Sequence, residues 1–508
     1  MLRVLHLVTQ DNGGAGRACV RLHCALLKAN VHSLILTQQQ TSCIQNIHVL
    51  KQSKMRKSLT KSLRNLSLLP FRHSLKNAKD YFSPNIHIPY LSTNNQSLLR
   101  QIESFAPSII HLHWIEGGFI NIHNLASLTK PMLWSLHDEN AYTGGCHYVA
   151  QGCEGARNGC RICPLFSNAT HTHKTHKSFS RDISYLTFTN KQKTYNKLNL
   201  TINGLSSWIA KRAKESLLLN NKTIINLPNP IDTDFYKPLS QTFAKQALGI
   251  KSDKILLAFG AIGGSSVRRK GFFQLKTALK MLNNKEKYEL LVFGGESENI
   301  DGIQMTNLGV IHDEVALVLL YNACDIFIQP SLAENLSNAI MESLSCGTAV
   351  VAFDIGGNGD MIQHKQNGYL AKPLDTQDLK NGIEWLANRN VSESQNIAKN
   401  ARDSIIEKFS YDIVASQYIT IYKQLTGGGG VTLKSYCDYL AALLLATFTP
   451  ILYYKQLSSS NKYPSAILHP FYLQRYNINK IKTIIYLSMK ILSLQQSKRI
   501  LLIRERHG

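Results

Sequence analysis

Along the chain, short apolar runs bounded by turn residues alternate with stretches whose apolar positions recur at helical spacing. Runs at 1–8, 107–114, 131–138, 254–260, 288–295 and 323–328, and another from 201, read as buried strands of parallel sheets. The first leads through Thr9-Gln10-Asp11-Asn12-Gly13-Gly14-Ala15-Gly16-Arg17 into a helical pattern carrying Ala18, Leu22, Ala25 and Leu26. Consecutive glycines let a backbone approach closely, and the helix that follows opens with free N–H groups. The spacing is not that of a dinucleotide fingerprint, and many α/β proteins carry such a turn for geometry alone. Leu227-Pro228-Asn229-Pro230-Ile231-Asp232 holds two prolines, which stiffen a crossing between domains. The pattern predicts an α/β protein with Rossmann-like domains at 1–228 and 229–408, a helix at 409–425 and an extension at 426–508. The glycines at 427–430 form a flexible break before that extension.

The densest chemistry lies in Gln329-Pro330-Ser331-Leu332-Ala333-Glu334-Asn335-Leu336-Ser337-Asn338-Ala339-Ile340-Met341-Glu342. A strand ends at its start, and a helix is expected from Ser331 or Glu334 with Ala339, Ile340 and Leu344 turned inward. Such a loop puts backbone N–H groups and a positive dipole end where an anion can sit. Eight residues are a little over two turns, so Glu334 and Glu342 would lie on nearly one helix face, at the mouth and deeper. Acceptor-only carboxylates so placed suit a polyhydroxylated ligand such as a nucleotide sugar. Taken alone, two glutamates eight residues apart are better explained as a solvated face of an amphipathic helix.

The surrounding residues change that balance. Pro330-Ser331, Glu334-x7-Glu342, Ser343-Leu344-Ser345-Cys346-Gly347 and Gly356-Gly357-Asn358, followed by Gln366-Asn367-Gly368-Tyr369-Leu370, resemble the family-4 retaining glycosyltransferases. The resemblance runs from about residue 1 to 425. It implies the GT-B architecture, two Rossmann-like domains facing a central cleft, with the helix at 409–425 packed back across the first. The N-terminal domain would take the acceptor and the C-terminal domain a UDP- or GDP-sugar. Glu342 would accept from the ribose hydroxyls and Glu334 from those of the donor sugar. Lys270-Gly271-Phe272 resembles the family's Lys-Gly-Phe, whose lysine contacts the donor phosphates. Where the family often has an arginine this chain has Ala261, and Arg269 would substitute for it. Cations beside a backbone amide nest are what a departing diphosphate needs. His137, in His-Asp, resembles the family's active-site histidine, and His113 ends the neighbouring strand. Gly13, Gly14 and Gly16 would face the cleft near the donor diphosphate and the acceptor. Such enzymes use no metal for phosphate stabilisation, so no catalytic metal is expected.

Directly after His137 come Cys146, Cys153, Cys160 and Cys163, within an insertion at 144–164 that resembles one in bacterial polysaccharide glycosyltransferases. Four thiols closed by a Cys-x2-Cys pair have the number and compactness of a tetrahedral structural zinc site. Two disulfides and an iron–sulfur cluster are the alternatives. His171-Thr172-His173-Lys174-Thr175-His176 reads as a polar loop.

Charge adds a partner class. The 508 residues carry 57 Lys+Arg against 33 Asp+Glu, a formal +24, which favours anionic small molecules, anionic lipid or nucleic acid. Nucleic acid is set aside because no binding signature is present. A basic block at 51–80 with Leu59, Leu63 and Leu66 at helical spacing fits a membrane surface as well as a solvated helix. The basic tail, with its uncharged run at 440–454, fits interfacial anchoring or a poorly ordered appendage. The opening residues turn polar too soon for a signal peptide, and ten cysteines fit a reducing compartment. The sequence therefore predicts a cytoplasmic enzyme, peripheral to the inner membrane face. The resemblance implies that it acts in exopolysaccharide, capsule or O-antigen synthesis, with a saccharide acceptor carried on a polyprenyl diphosphate. The competing readings are a GT-B epimerase or phosphorylase and a zinc-stabilised scaffold without catalysis.

Overall fold

A computed structural model describes residues 1–51, 96–166, 182–261 and 263–427, with scattered positions between 55 and 69. Most of the basic block at 51–80, the histidine loop at 171–176 and the tail from 428 lie outside the described residues.

Thirteen described strands form two sheets. The first is built from β1 (Arg3–Gln10), β2 (His32–Gln39), β3 (Ile47–Val49), β4 (Ile109–Leu112), β5 (Met132–Leu136), β6 (Leu200–Gly204) and β7 (Thr223–Asn226). The second holds β8 (Ile255–Gly260), β9 (Tyr288–Phe293), β10 (Gln304–Asn307), β11 (Ile326–Gln329), β12 (Ala349–Phe353) and β13 (Gly368–Ala371). Their orders are β3-β2-β1-β4-β5-β6-β7 and β10-β9-β8-β11-β12-β13. All pairings are parallel, with His6 opposite His111 in β1 and β4 and Ile326 opposite Leu257 in β11 and β8. Helices cover both faces, so every residue of β4, β5, β9 and β12 is buried, as parallel sheets require.

Both orders reverse direction once, between β1 and β4 and between β8 and β11. Loops leaving neighbouring strands on opposite faces diverge there, opening a crevice at the carboxyl ends. The two crevices face each other.

The chain passes between lobes alongside its own return, where Ile231 N donates to Phe409 O at 2.8 Å. The helix Tyr411–Leu425 then buries Val414, Tyr418 and Tyr422 against Val4, Leu22, Leu26, Ile109 and Leu133 of the first lobe. Each large apolar side chain so taken out of water contributes roughly 1.5–3 kcal/mol to holding the helix on the first lobe.

One local expectation fails. The helix carrying Glu342 spans Asn338–Ser345, with Ser337 Oγ accepting from Ile340 N at 3.4 Å. Residues 331–337 are loop because their backbone groups bond to neighbouring loops. Leu332 N donates to Arg269 O at 2.8 Å and Gly357 N to Asn335 O at 2.7 Å. Glu334 and Glu342 therefore do not share a helix face.

Candidate functional site

The second lobe brings its cations and its loop glutamate together across its switch point. The loop after β8 runs to a tight turn at Arg268–Lys270, closed by Gly271 in the left-handed region at φ 76°. A Cβ on Gly271 would lie 1.8 Å from Pro330 O, so only glycine lets this loop touch the one after β11. Lys270 Nζ then donates to Glu334 Oε2 at 2.8 Å, and Arg269 stands 3.7 Å from the same oxygen. Arg269 also donates to Ala333 O at 2.9 Å and lies over the Tyr148 ring, 5.0 Å from its centre. Burial pushes the Glu334 carboxyl up, but Lys270 and Arg269 outweigh it and hold it below the usual carboxylate range. On the far side Gly356, at φ 55°, leaves room for Glu334 O, 1.7 Å from where a Cβ would stand. Ala261, where the resemblance leads one to expect an arginine, is buried.

Glu342 is 1% exposed and tied to the other lobe. Its Oε1 accepts from Arg21 at 2.7 Å and its Oε2 from the Tyr321 hydroxyl at 2.9 Å. Arg21 reaches it from the helix Gly13–Lys28 and also donates to the Tyr236 hydroxyl at 3.0 Å. Each oxygen thus carries a hydrogen bond and keeps a further lone pair.

The glycines are inside that helix, not in a loop before it. Gly13 has φ 69°, Gly16 packs where a Cβ would meet Gln10 O at 2.4 Å, and Gly14 is open to the cleft. Gly14 O accepts from Asn338 Nδ2 at 3.1 Å, so the first lobe's helix start meets the second's.

His113 and His137 end β4 and β5, and their rings are joined, His113 Nδ1 to His137 Nε2 at 3.0 Å. Burial lowers the His137 pKa to about 4 against the pull of Asp138, which keeps the ring neutral near pH 7. Asp138 itself bonds His147 Nδ1 at 2.7 Å and Trp114 Nε1 at 3.1 Å. Asn335, the residue after Glu334, donates to Leu136 O at 2.9 Å and accepts from Ser206 Oγ at 2.6 Å. That clasp brings the His137 backbone beside the Glu334 loop. Beside the Glu334 loop opens a cleft of ≈ 440 Å³, lined from the first lobe by Glu139, Tyr148, Trp208 and Arg212 and from the second by Glu334 and Asp354; His137 and Lys270 are not among its lining residues.

Arg21, Asn335, Tyr148 and Arg212 were not foreseen. Arg21 reads as one more polar position on an amphipathic helix, and only its contact across the cleft gives it a role. An Asn flanking the Glu was visible but unremarkable.

The four cysteines gather beside this site. Cys146 and Cys163 are within hydrogen-bonding reach of one another, and a Cβ on Gly155 would touch Cys160 Sγ at 3.1 Å and Cys153 Sγ at 3.5 Å. Gly144 N donates to Cys160 Sγ at 3.2 Å. Among the described residues, the tightest set of metal-capable atoms lies elsewhere, in His6, His111 and His113, whose ring nitrogens sit within 4.8 Å of each other.

Two switch-point lobes closed over one cleft are the GT-B fold. Solved structures of that architecture superpose on 84% of the chain. Sucrose-phosphate synthase from Thermosynechococcus elongatus has a TM-score of 0.58 at 15% identity, covered in full. The Anabaena protein HepE in complex with UDP-glucose has 0.54 at 14%, also in full. Within this fold, residues 240–404 match the family described as Glycosyl transferases group 1, so the second lobe is a domain of that family. Relatives include an uncharacterized glycosyltransferase of Methanocaldococcus jannaschii, 26% identical over 40% of this chain and 53% of its own. Another is the N,N'-diacetylbacillosaminyl-diphospho-undecaprenol alpha-1,3-N-acetylgalactosaminyltransferase of Campylobacter jejuni, 29% identical over 31% of this chain and 41% of its own. The chain thus spans about half the length of the curated relatives it matches.

Proposed function

We propose that the protein is a retaining glycosyltransferase. It would move a sugar from a UDP- or GDP-sugar to a saccharide acceptor on a polyprenyl diphosphate, in surface polysaccharide synthesis. The observation that carries this is Lys270 paired with Glu334 at the second switch point, facing the first lobe across a cleft. In the reaction the bond from the anomeric carbon to the diphosphate oxygen breaks, and that oxygen keeps the electron pair. Lys270, with two donors left beyond Glu334, and Arg269 neutralise the growing charge. The acceptor oxygen bonds to the anomeric carbon on the same face, and its proton passes to the departing diphosphate oxygen. Glu334 accepts from the sugar's hydroxyls, orienting it, while neutral His137 hydrogen-bonds donor or acceptor near the reacting carbon. The names of the two neighbours support this reading, one solved with UDP-glucose and one acting on a diphospho-undecaprenol substrate.

Cys146, Cys153, Cys160 and Cys163 would hold one structural zinc. The N–H donated to Cys160 Sγ suits a thiolate ligand, and four protein ligands leave no open position for chemistry. No described helix is long and apolar enough to cross a membrane, and the reading places the enzyme peripherally, on the inner face.

The test is turnover of UDP- and GDP-sugars against lipid-linked acceptors, with the product anomer assigned by NMR. Lys270→Ala and Glu334→Gln should each lower kcat by roughly 10²–10³-fold, the usual cost of losing one charge-stabilising contact. An inverted product, or full activity in both variants, would overturn the reading.

A further inference from the structure

Behind the candidate site a column of imidazoles runs through the first lobe. His6 Nδ1 meets His113 Nε2 at 3.0 Å, and His113 Nδ1 meets His137 Nε2 at 3.0 Å. His111 lies beside the column with both nitrogens committed, Nδ1 to the Tyr422 hydroxyl at 2.7 Å and Nε2 to Ser135 Oγ at 2.8 Å. His6, His111 and His113 are 0–2% exposed. A divalent ion among them would have to break these bonds and sit without a carboxylate partner, so the set is read as a hydrogen-bonded relay.

Each neutral imidazole has one N–H and one lone pair, so the two contacts cannot be assigned independently. If His137 donates from Nε2, then His113 donates to His6, and the proton of His6 falls on Nε2. That atom is buried with no hydrogen-bond partner among the described residues. If the relay runs the other way, His6 donates from Nδ1 and His113 from Nδ1, and only a lone pair is left at His6 Nε2. Buried N–H groups without an acceptor are the rarer defect in folded proteins, so the second direction is preferred. It leaves the proton of His137 on Nδ1, for which no partner is found among the described residues.

We propose that His6 and His113 are positioning residues that lock His137 in the tautomer protonated on Nδ1, so that its ring edge away from the relay offers a hydrogen-bond donor. Burial disfavours an imidazolium at any of the three, which keeps the relay neutral and its direction fixed. At the reacting centre His137 then acts as a donor to an oxygen and not as a base. That consequence rests on the glycosyltransferase reading, whereas the tautomer itself does not.

The experiment is long-range ¹H–¹⁵N correlation on the full chain labelled with ¹⁵N-histidine, with His137 identified by its loss in His137→Gln. Wild type should show His137 with a protonated Nδ1 and a bare Nε2. His113→Asn, whose side-chain amide can donate from the Nδ1 position, should keep that pattern. His113→Phe should shift His137 to the Nε2-protonated form that free imidazoles favour. A wild-type His137 protonated on Nε2, or an Nδ1–H form that survives in His113→Phe, would overturn the proposal. If His113→Phe does not fold, the wild-type spectrum still decides. Because the readout is the ring itself, it fails or succeeds independently of sugar-transfer activity.

Discussion

The two lobes repeat one strand order yet furnish their switch points with opposite chemistry. At the first, neutral rings of His6, His113 and His137 pass hydrogen bonds to one another. At the second, full charges meet, Lys270 and Arg269 against Glu334. The surroundings account for the difference. β1 and β4 are central and roofed by the helix Tyr411–Leu425, so polar groups between them must be neutral and mutually bonded. The loops after β8 and β11 open on the cleft, and Lys270 and Glu334 keep 22% and 13% of their side chains exposed. A cleft built this way pairs one wall that responds to charge with one that holds a fixed pattern of neutral donors and acceptors.

Arg21 is the exception that tests the contrast, a first-lobe cation 5% exposed, sunk against the second lobe's Glu342. Arg21→Met would leave Glu342 buried without its charge partner. It should cost about 3–5 kcal/mol in urea unfolding, the range for breaking a buried pair from one side. Adding Glu342→Gln should restore a large part of that. If the double variant is no more stable than the single, the cost came from lost packing of the arginine stem and not from the stranded charge.

Acid should separate the lobes next. His137 has a folded pKa of about 4 against 6.5 when unfolded, so below 6.5 the unfolded chain binds a proton that the folded one refuses. Stability from this group is complete above pH 6.5 and lost as pH falls towards 4, about 3 kcal/mol over the interval. His6, His111 and His113 are depressed by burial in the same direction. Glu334 is depressed below 4.5, so its contribution persists until pH drops under that value. Hydrogen exchange at pH 5.5 should therefore show β1, β4 and β5 losing protection before β8, β11 and β12. Equal loss in both sheets would mean the histidine layer is not the acid-sensitive element.

Much of the fold was legible because parallel strands buried on both faces are continuous apolar runs, and the prolines at 228 and 230 mark the crossing. Among the strands not read were β2, β3, β7, β10 and β13; β7 and β10 have no fully buried residue and β3 has one, whereas β2 and β13 are mostly buried. At the site, Lys270 and Glu334 were nameable from spacing and resemblance, and they do converge. What spacing could not give was the loop at 331–337, since its backbone bonds go to Arg269 and Gly357, far away in sequence. The relay was half visible: His111-Leu112-His113 alternates, as strand residues on one face do. Only His113 of that pair belongs to the relay, and its other two members, His6 and His137, come from other strands, so register, a tertiary fact, completes it.

The smallest expected effect sharpens the same comparison inside one residue. Glu342 is held by a charge from the first lobe on Oε1 and by a neutral hydroxyl of its own lobe on Oε2. Tyr321→Phe removes only the second and should cost about 1.5 kcal/mol, a hydrogen bond to a charged acceptor, well below the cost of removing Arg21. On the proposed reading, a ribose that takes a partner's place at Glu342 gives up least by replacing the phenol and leaving the buried ion pair intact. Tyr321→Phe should then bind UDP more tightly than wild type in titration calorimetry, because the place is already vacated. Unchanged affinity would mean that the nucleotide does not displace the phenol.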